Sequence, residues 1–233
     1  MTKTRVAVSW SGGKDSAMVL HRLLAHRDYE VAGLVTTFLG DDQMVNLHFI
    51  PERLIRQQAE ALGLPLFTLF LPEKPINAIY EQAHQNKFQE LLKEEDIRHI
   101  AFGDLFLEPI KAFRDQMMAP TGLTPLYPLW GTSTLDLLRE VDSLGIRALV
   151  CAVDRLKLPT ELLGQQLSYD LIAPFAPGVD WCGENGEFHT LVYDGPIFKQ
   201  AVSFAVEATY GQVDYRPEID MAMEYLQWKT TEV

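Results

Sequence analysis

From residue 5 to residue 118, short apolar runs alternate with longer stretches whose apolar residues recur every three or four positions. Arg5–Trp10 (RVAVSW) reads as a strand followed by a Ser/Gly turn. Val19, Leu20, Leu23 and Leu24 then fall at helical spacing within Ser16–His26. Glu30–Phe38 (EVAGLVTTF) is a second β-like run. Pro51–Leu62 reads as a helix, with proline at a favoured first position and Gly63 just past its end. Leu64–Leu71 is a third strand and Ile76–Glu94 a long helix with mixed charges on its outer face. Arg98–Phe102 is a fourth strand, ending in Gly103-Asp104, and Pro109–Met118 a shorter helix. Strands alternating with helices predict βαβ units, hence an α/β fold with a parallel sheet, right-handed crossovers and helices on both faces. Such sheets bind ligands beyond the C-terminal ends of their strands.

The texture changes after about Ala119. Pro120, Gly122, Pro125, Pro128 and Gly131 crowd together. A helix (Ser133–Leu144) and a strand (Arg147–Val153) follow, then an irregular stretch with Pro174, Pro177, Gly178, Gly183 and Gly186. Glu187–Val192 and Ala201–Tyr210 read as strands, and Pro217–Trp228 as a helix. The expected organisation is an α/β domain over 1–125 and a smaller α+β portion over 126–233.

Charge and cysteine content narrow the function. Twenty Lys and Arg stand against 32 Asp and Glu, a net charge of −12. A balance so acidic argues against a broad nucleic-acid or anionic-membrane surface, though not against a small basic pocket for phosphate. Cys151 and Cys182 fit neither a disulfide framework nor a zinc spacing. No apolar signal core follows Met1–Arg5, and no apolar run approaches the roughly 20 residues of a membrane helix. The expected setting is soluble, reduced and cytoplasmic.

The sharpest chemical signal is Ser9-Trp10-Ser11-Gly12-Gly13-Lys14-Asp15-Ser16, at the end of the first strand and the start of the first helix. Two glycines allow the backbone to approach a ligand closely. The free N–H groups and positive dipole of a helix start favour an anion. Ser11 and Ser16 add hydroxyls and Lys14 a point charge, so every element suits phosphate or pyrophosphate. The pattern is neither GxxxxGK[ST] nor GxGxxG.

A second signature runs Cys182-Gly183-Glu184-Asn185-Gly186-Glu187-Phe188-His189-Thr190 and continues as Val192-Tyr193-Asp194-Gly195-Pro196-Ile197-Phe198. Glu184, Glu187 and His189 are suited to ligating metal, to acid–base work or to holding an amine. They are equally suited to capping a polar turn. Glu187 and His189 share a strand face, but the dense ligand set of a zinc site is missing.

The loop SGGKDS resembles the PP-loop of the N-type ATP pyrophosphatases. Taken with the second signature, Gly103-Asp104-Leu105-Phe106 and Pro128-Leu129-Trp130, the chain resembles the diphthine–ammonia ligase family over roughly residues 4–200. His189 stands where the family pattern has an acidic residue, and the His-Thr pair resembles a bacterial-type member. The resemblance implies a Rossmann-like, HUP-type fold and two substrates besides ATP: a small-molecule or protein-borne carboxylate and ammonium. The carboxylate would be adenylated with release of pyrophosphate, then amidated by ammonia. It implies an ATP site made of Ser9, Ser11, Gly12, Gly13, Lys14, Asp15 and Ser16, continued by Gly103 and Asp104, with Thr37 near the adenosine. Mg²⁺ would be held by Asp15 and Asp104. Lys14 and Asp15 would act on the phosphates, and Glu184, Glu187 and His189 on the carboxyl or ammonium. A homodimer is admitted among the partners.

Two other functions compete. A nucleotide sensor on the same fold would need no second polar site. A tRNA sulfur-transfer enzyme would need catalytic cysteines and a basic RNA surface; Cys182 beside Glu184 is its one attraction. Cys151, in the apolar run Ala148–Val153, reads as core. Trp130 suits either ligand stacking or packing. His48 can border the site, although a surface or core place is the commoner fate of such a histidine. Asp154 and Arg155 can line a cleft, and Glu94-Glu95-Asp96 is a solvated helix end.

Overall fold

A computed structural model describes residues 3–207, 213–216 and 221–229. Its strands are β1 Thr4–Ser9, β2 Tyr29–Leu39, β3 Met44–Val45, β4 Leu66–Leu71, β5 His99–Ala101, β6 Thr124–Leu126, β7 Arg147–Asp154, β8 Phe188–Asp194, β9 Val213–Arg216 and β10 Met221–Tyr225. Its α-helices are α1 Lys14–Ala25, α2 Glu52–Leu62, α3 Asn77–Glu95, α4 Glu108–Met118, α5 Thr134–Ser143 and the single turn α6 Tyr169–Ile172.

The parallel strands pair in the order β4-β2-β1-β5-β6, with β3 joining the end of β2 antiparallel. This is the expected Rossmann-like α/β sheet. The chain leaves β1 toward β2 on one side and β5 lies on the other, so the switch point falls between the ends of β1 and β5. Alternation along β1 sends Val6 and Val8 to one face and Ala7 to the other. The first face packs on α1 and α2 through Met18, Leu20, Leu54 and Ile55, all fully buried. The opposite face packs on α3 and α4 through Phe88, Leu91, Met117 and Met118. Burial of one such side chain contributes about 1.5–3 kcal/mol.

The second sheet is antiparallel, β8-β7-β10-β9. Val150, Cys151, Leu191 and Val192 belong to the same core as α1 and α2. The sheets thus share one interior, and β8 is pressed against the turn after β1.

Two C-terminal expectations change. Within Pro217–Trp228, expected as a helix, Met221–Tyr225 is the strand β10, paired antiparallel with β7 and β9; residues 217–220 lie outside the described residues. Met, Ala and Glu favour helix, but a place between two strands overrides so weak a preference. Of Ala201–Tyr210, expected as a strand, residues 201–207 form only a bridge from Val206 to Trp228, and 208–210 are not described. Inside the Pro-rich stretch, Thr124–Leu126 pairs with β5 as the last strand of its sheet. An outer strand is where Pro125, lacking an N–H, is tolerated. Among the described residues no helix is long and apolar enough to cross a membrane.

Candidate active site

The turn after β1 is braced from three directions. Trp10 is buried, and its indole N–H donates to Gln58 Oε1 at 2.8 Å. The Gln58 amide donates to the Gly12 carbonyl at 3.0 Å and to the Val192 carbonyl at 2.5 Å. Val192 N–H also donates to Gly12 O at 2.8 Å, and Lys14 N–H to the Thr190 hydroxyl at 3.0 Å. Gly12 has φ +84°, and a Cβ there would lie 2.7 Å from Ile55. At Gly13 a Cβ would lie 2.6 Å from the His48 ring and 3.0 Å from the Thr190 carbonyl. Both positions therefore demand glycine.

A cavity of about 340 Å³ opens beyond this turn, at the ends of β1 and β5. Ser9, Ser11, Lys14, Asp15 and Ser16 line one side, Gly103 and Asp104 another, and Glu184 and His189 a third. The two signatures, some 170 residues apart, thus meet at one site. Gly12 and Gly13 lie behind its wall.

Lys14 is 2% exposed. Its ammonium donates to Asp15 Oδ2 at 2.9 Å and to the Cys182 carbonyl, and lies 5.3 Å from the centre of the Phe188 ring. Burial disfavours its charge, but Asp15, Cys182 and Glu184 outweigh that and hold its pKa above the ordinary lysine value. Two of its three N–H groups are used, leaving one for a ligand. Glu184 accepts the Leu105 N–H at 2.9 Å. Burial pushes its carboxyl up to about 7, against the pull of that N–H. Asp104 accepts two hydrogen bonds from Arg114, at 2.7 and 3.2 Å.

Other residues singled out from the sequence take different places. Glu187 is 3% exposed and does not line the cavity; its Oε1 accepts from Asp180 N–H at 3.1 Å and from the Asn185 amide at 3.2 Å. The Thr37 hydroxyl lies 2.8 Å from His84 Nε2, away from the cavity. Asp154 is buried, accepting from Leu156 and Ala222 N–H, and Trp130 packs on Tyr127. Both cysteines are buried, and burial pushes both thiols up. His48, in contrast, lines the cavity.

Two contributors escape a motif reading. Gln58 ties the turn after β1 to β8; its only sequence signal is a polar residue on the apolar face of α2, one turn from Leu54 and Ile55. Asp180 accepts the N–H groups of Cys182 (2.9 Å) and Glu184 (3.0 Å) through Oδ1 and the Thr134 hydroxyl (2.7 Å) through Oδ2. It shapes the turn that carries Glu184. Its signal is an aspartate just before a glycine turn.

A Rossmann-like sheet thus carries a Ser/Gly turn with a buried lysine at its switch point, and a carboxylate-bearing loop faces it. The family model of the diphthamide synthase N-terminal domain matches residues 4–125, and that of the diphthamide synthase C-terminal domain matches residues 133–223. The chain belongs to the diphthamide synthase family. It is 29% identical over 220 residues to the diphthine–ammonia ligases of Bos taurus and Homo sapiens, covering 85% of this chain and 82% of each relative. The diphthine–ammonia ligase of Rattus norvegicus is 28% identical over 219 residues, with the same coverage. The resemblance drawn from the sequence is borne out, and so is the enzyme class it implied, an amide-forming ligase dependent on ATP.

Proposed function

We propose that the protein adenylates a substrate carboxylate and amidates it with ammonia, with diphthine, named in its relatives, as the model acceptor. The reading is carried by the meeting of the phosphate turn and Glu184 across one cavity at the switch point. ATP would lay its β and γ phosphates against Ser11, Ser16 and Lys14. The acceptor carboxylate would attack the α phosphorus, and the bond to the β-phosphate oxygen would break with its electron pair on pyrophosphate. Lys14 and the helix-start N–H groups stabilise that charge as it develops. Ammonia would then attack the acyl carbon and AMP would leave. Glu184, with a pKa near neutrality, is suited to take the proton lost by nitrogen.

The charges lining the cavity support a role for Mg²⁺. Lys14 and Arg114 face Asp15, Asp104 and Glu184, so a triphosphate would meet no net positive charge. Among the described residues no three His, Cys, Asp or Glu side chains cluster to hold a metal. A cation bound mainly by phosphate oxygens needs few protein ligands. Asp15 Oδ1, buried without a hydrogen-bond partner, fits such a role, whereas both oxygens of Asp104 are engaged by Arg114. The ion would neutralise phosphate charge.

Arg114 and Ile110 also line an adjoining cavity of about 570 Å³, which offers room for the rest of the nucleotide or for the acceptor. The buried Cys182 thiol donates to the Thr134 carbonyl at 3.2 Å, an arrangement that suits packing rather than sulfur transfer. Purified protein given ATP, Mg²⁺, ammonium and candidate carboxylates should release AMP and pyrophosphate. ADP and phosphate as sole products would overturn the reading.

A further inference from the structure

His48 lies between β3 and α2, in a segment bent twice through left-handed backbone, with φ +63° at Leu47 and +54° at Phe49. Non-glycine residues hold such conformations where their surroundings over-determine them. Here the second sheet does so. The Trp228 indole donates to the Phe49 carbonyl at 2.8 Å, and the Phe49 ring stacks on Tyr225 with centroids 4.8 Å apart. The Cys151 thiol donates to the His48 carbonyl at 3.4 Å. The His48 ring is thereby turned into the cavity, 4.7 Å from the His189 ring and against the Gly13 backbone.

The ring nitrogens are chemically distinguished. Nδ1 lies 3.0 Å from the Thr190 carbonyl. A carbonyl only accepts, so Nδ1 carries the hydrogen. Among the described residues, the titratable groups beside the ring are Lys14 from α1, His189 from β8 and Cys151 from β7. Burial, with a smaller push from Lys14, drops the His48 pKa to about 4, so the ring is neutral. A neutral imidazole protonated at Nδ1 keeps its lone pair at Nε2. A nitrogen that carries a lone pair cannot donate to phosphate oxygens, so Nε2 does not serve to hold phosphate.

We propose that His48 binds the amine nucleophile: its Nε2 accepts an N–H from ammonia and orients the nitrogen lone pair toward the acyl carbon. As the new C–N bond forms, the C–O bond to AMP breaks with its electron pair on the phosphate, and the nitrogen's proton goes to Glu184. This role rests on the amide-forming reading above, so its test includes a measurement that needs no turnover.

In long-range ¹H–¹⁵N spectra, His48 should show a protonated Nδ1 and a bare Nε2 down to about pH 5. Ammonium chloride added with ATP and Mg²⁺ should shift the Nε2 resonance. The opposite tautomer, or an Nε2 that ammonium leaves unmoved, overturns the proposal. In kinetics, His48→Asn keeps a donor for the Thr190 carbonyl but offers nothing at the Nε2 position. Its KM for ammonium should rise about tenfold while its KM for ATP moves less than about threefold. His48→Gln, whose carbonyl reaches the Nε2 position, should recover part of that loss. Equal rises in both constants, or a wild-type ammonium KM in His48→Asn, also overturn it. Should the wild-type protein make no AMP, the amide-forming reading falls and the spectra alone decide His48.

Discussion

The backbone N–H of Lys14 donates to the hydroxyl of Thr190 at 3.0 Å, across 176 residues of sequence. One hydrogen bond thus joins the turn after β1 in the first sheet to the edge of the second. It spends one of the free N–H groups of the α1 start on the protein itself, and the N–H groups left for a ligand are aimed by a strand that arrives late in the chain.

Thr190→Val keeps the shape of the side chain and removes that acceptor. A lost hydrogen bond that leaves a buried N–H unpaired costs about 1–3 kcal/mol. The variant should unfold at lower denaturant and bind ATP more weakly, which urea melts and ATP titration calorimetry will read. Undiminished ATP affinity would show that β8 does not position the turn.

Lys14→Met keeps a buried apolar stem of similar length and deletes the charge that lies over the Phe188 ring. Loss of one preorganised charge at a developing anion typically costs about 10²–10³ in rate. Pyrophosphate release should fall by that order while circular dichroism stays native. Release within about threefold of wild type would remove Lys14 from the chemistry.

Glu184 gives opposite pH signatures in stability and in rate. Its carboxyl holds a proton up to about pH 7 in the folded protein, against an ordinary 4.5. The folded state binds more protons in that window. The stabilising contribution is therefore complete below pH 4.5 and lost as pH rises through about 7. Proton acceptance needs the ionised form, so the amidation rate should climb over the same range. Glu184→Gln can still accept the Leu105 N–H and should flatten both curves, measured by melting temperature and by pH–rate profile. A limb near pH 7 that persists in the variant would assign it to another group.

Asp180→Asn tests the brace of the Glu184 turn. The aspartate accepts three hydrogen bonds, and an asparagine presents one acceptor oxygen. We expect a loss of about 1–3 kcal/mol in stability and a drop in amide yield larger than any change in ATP affinity. Equal losses in both would mean that Asp180 supports the whole cavity rather than its carboxylate side.

Apart from the two-residue strand β3, the order of strands and helices through Met118 was legible because period-2 and period-3.6 patterns are properties of neighbouring residues. The Ser/Gly turn after β1 was legible for the same reason: its glycines, hydroxyls and lysine are neighbours in sequence. What escaped depended on partners far away. Met221–Tyr225 carries a helix-forming composition and became a strand because β7 offered an edge. Thr124–Leu126 carries a proline and became a strand because an outer position leaves its missing N–H unneeded.

Within the site, the chain alone determined which groups were available: a Ser/Gly turn, a lysine, and a carboxylate-rich loop some 170 residues later. Only the folded structure decided which of them meet. Glu184 and Glu187 look equivalent in sequence, yet one faces the cavity and the other is buried bracing the loop, because a glycine turn reverses the chain between them. His48 carries no motif at all. Its place in the cavity comes from Tyr225, Trp228 and Thr190, and side-chain direction set by contacts of that range has no local pattern to betray it.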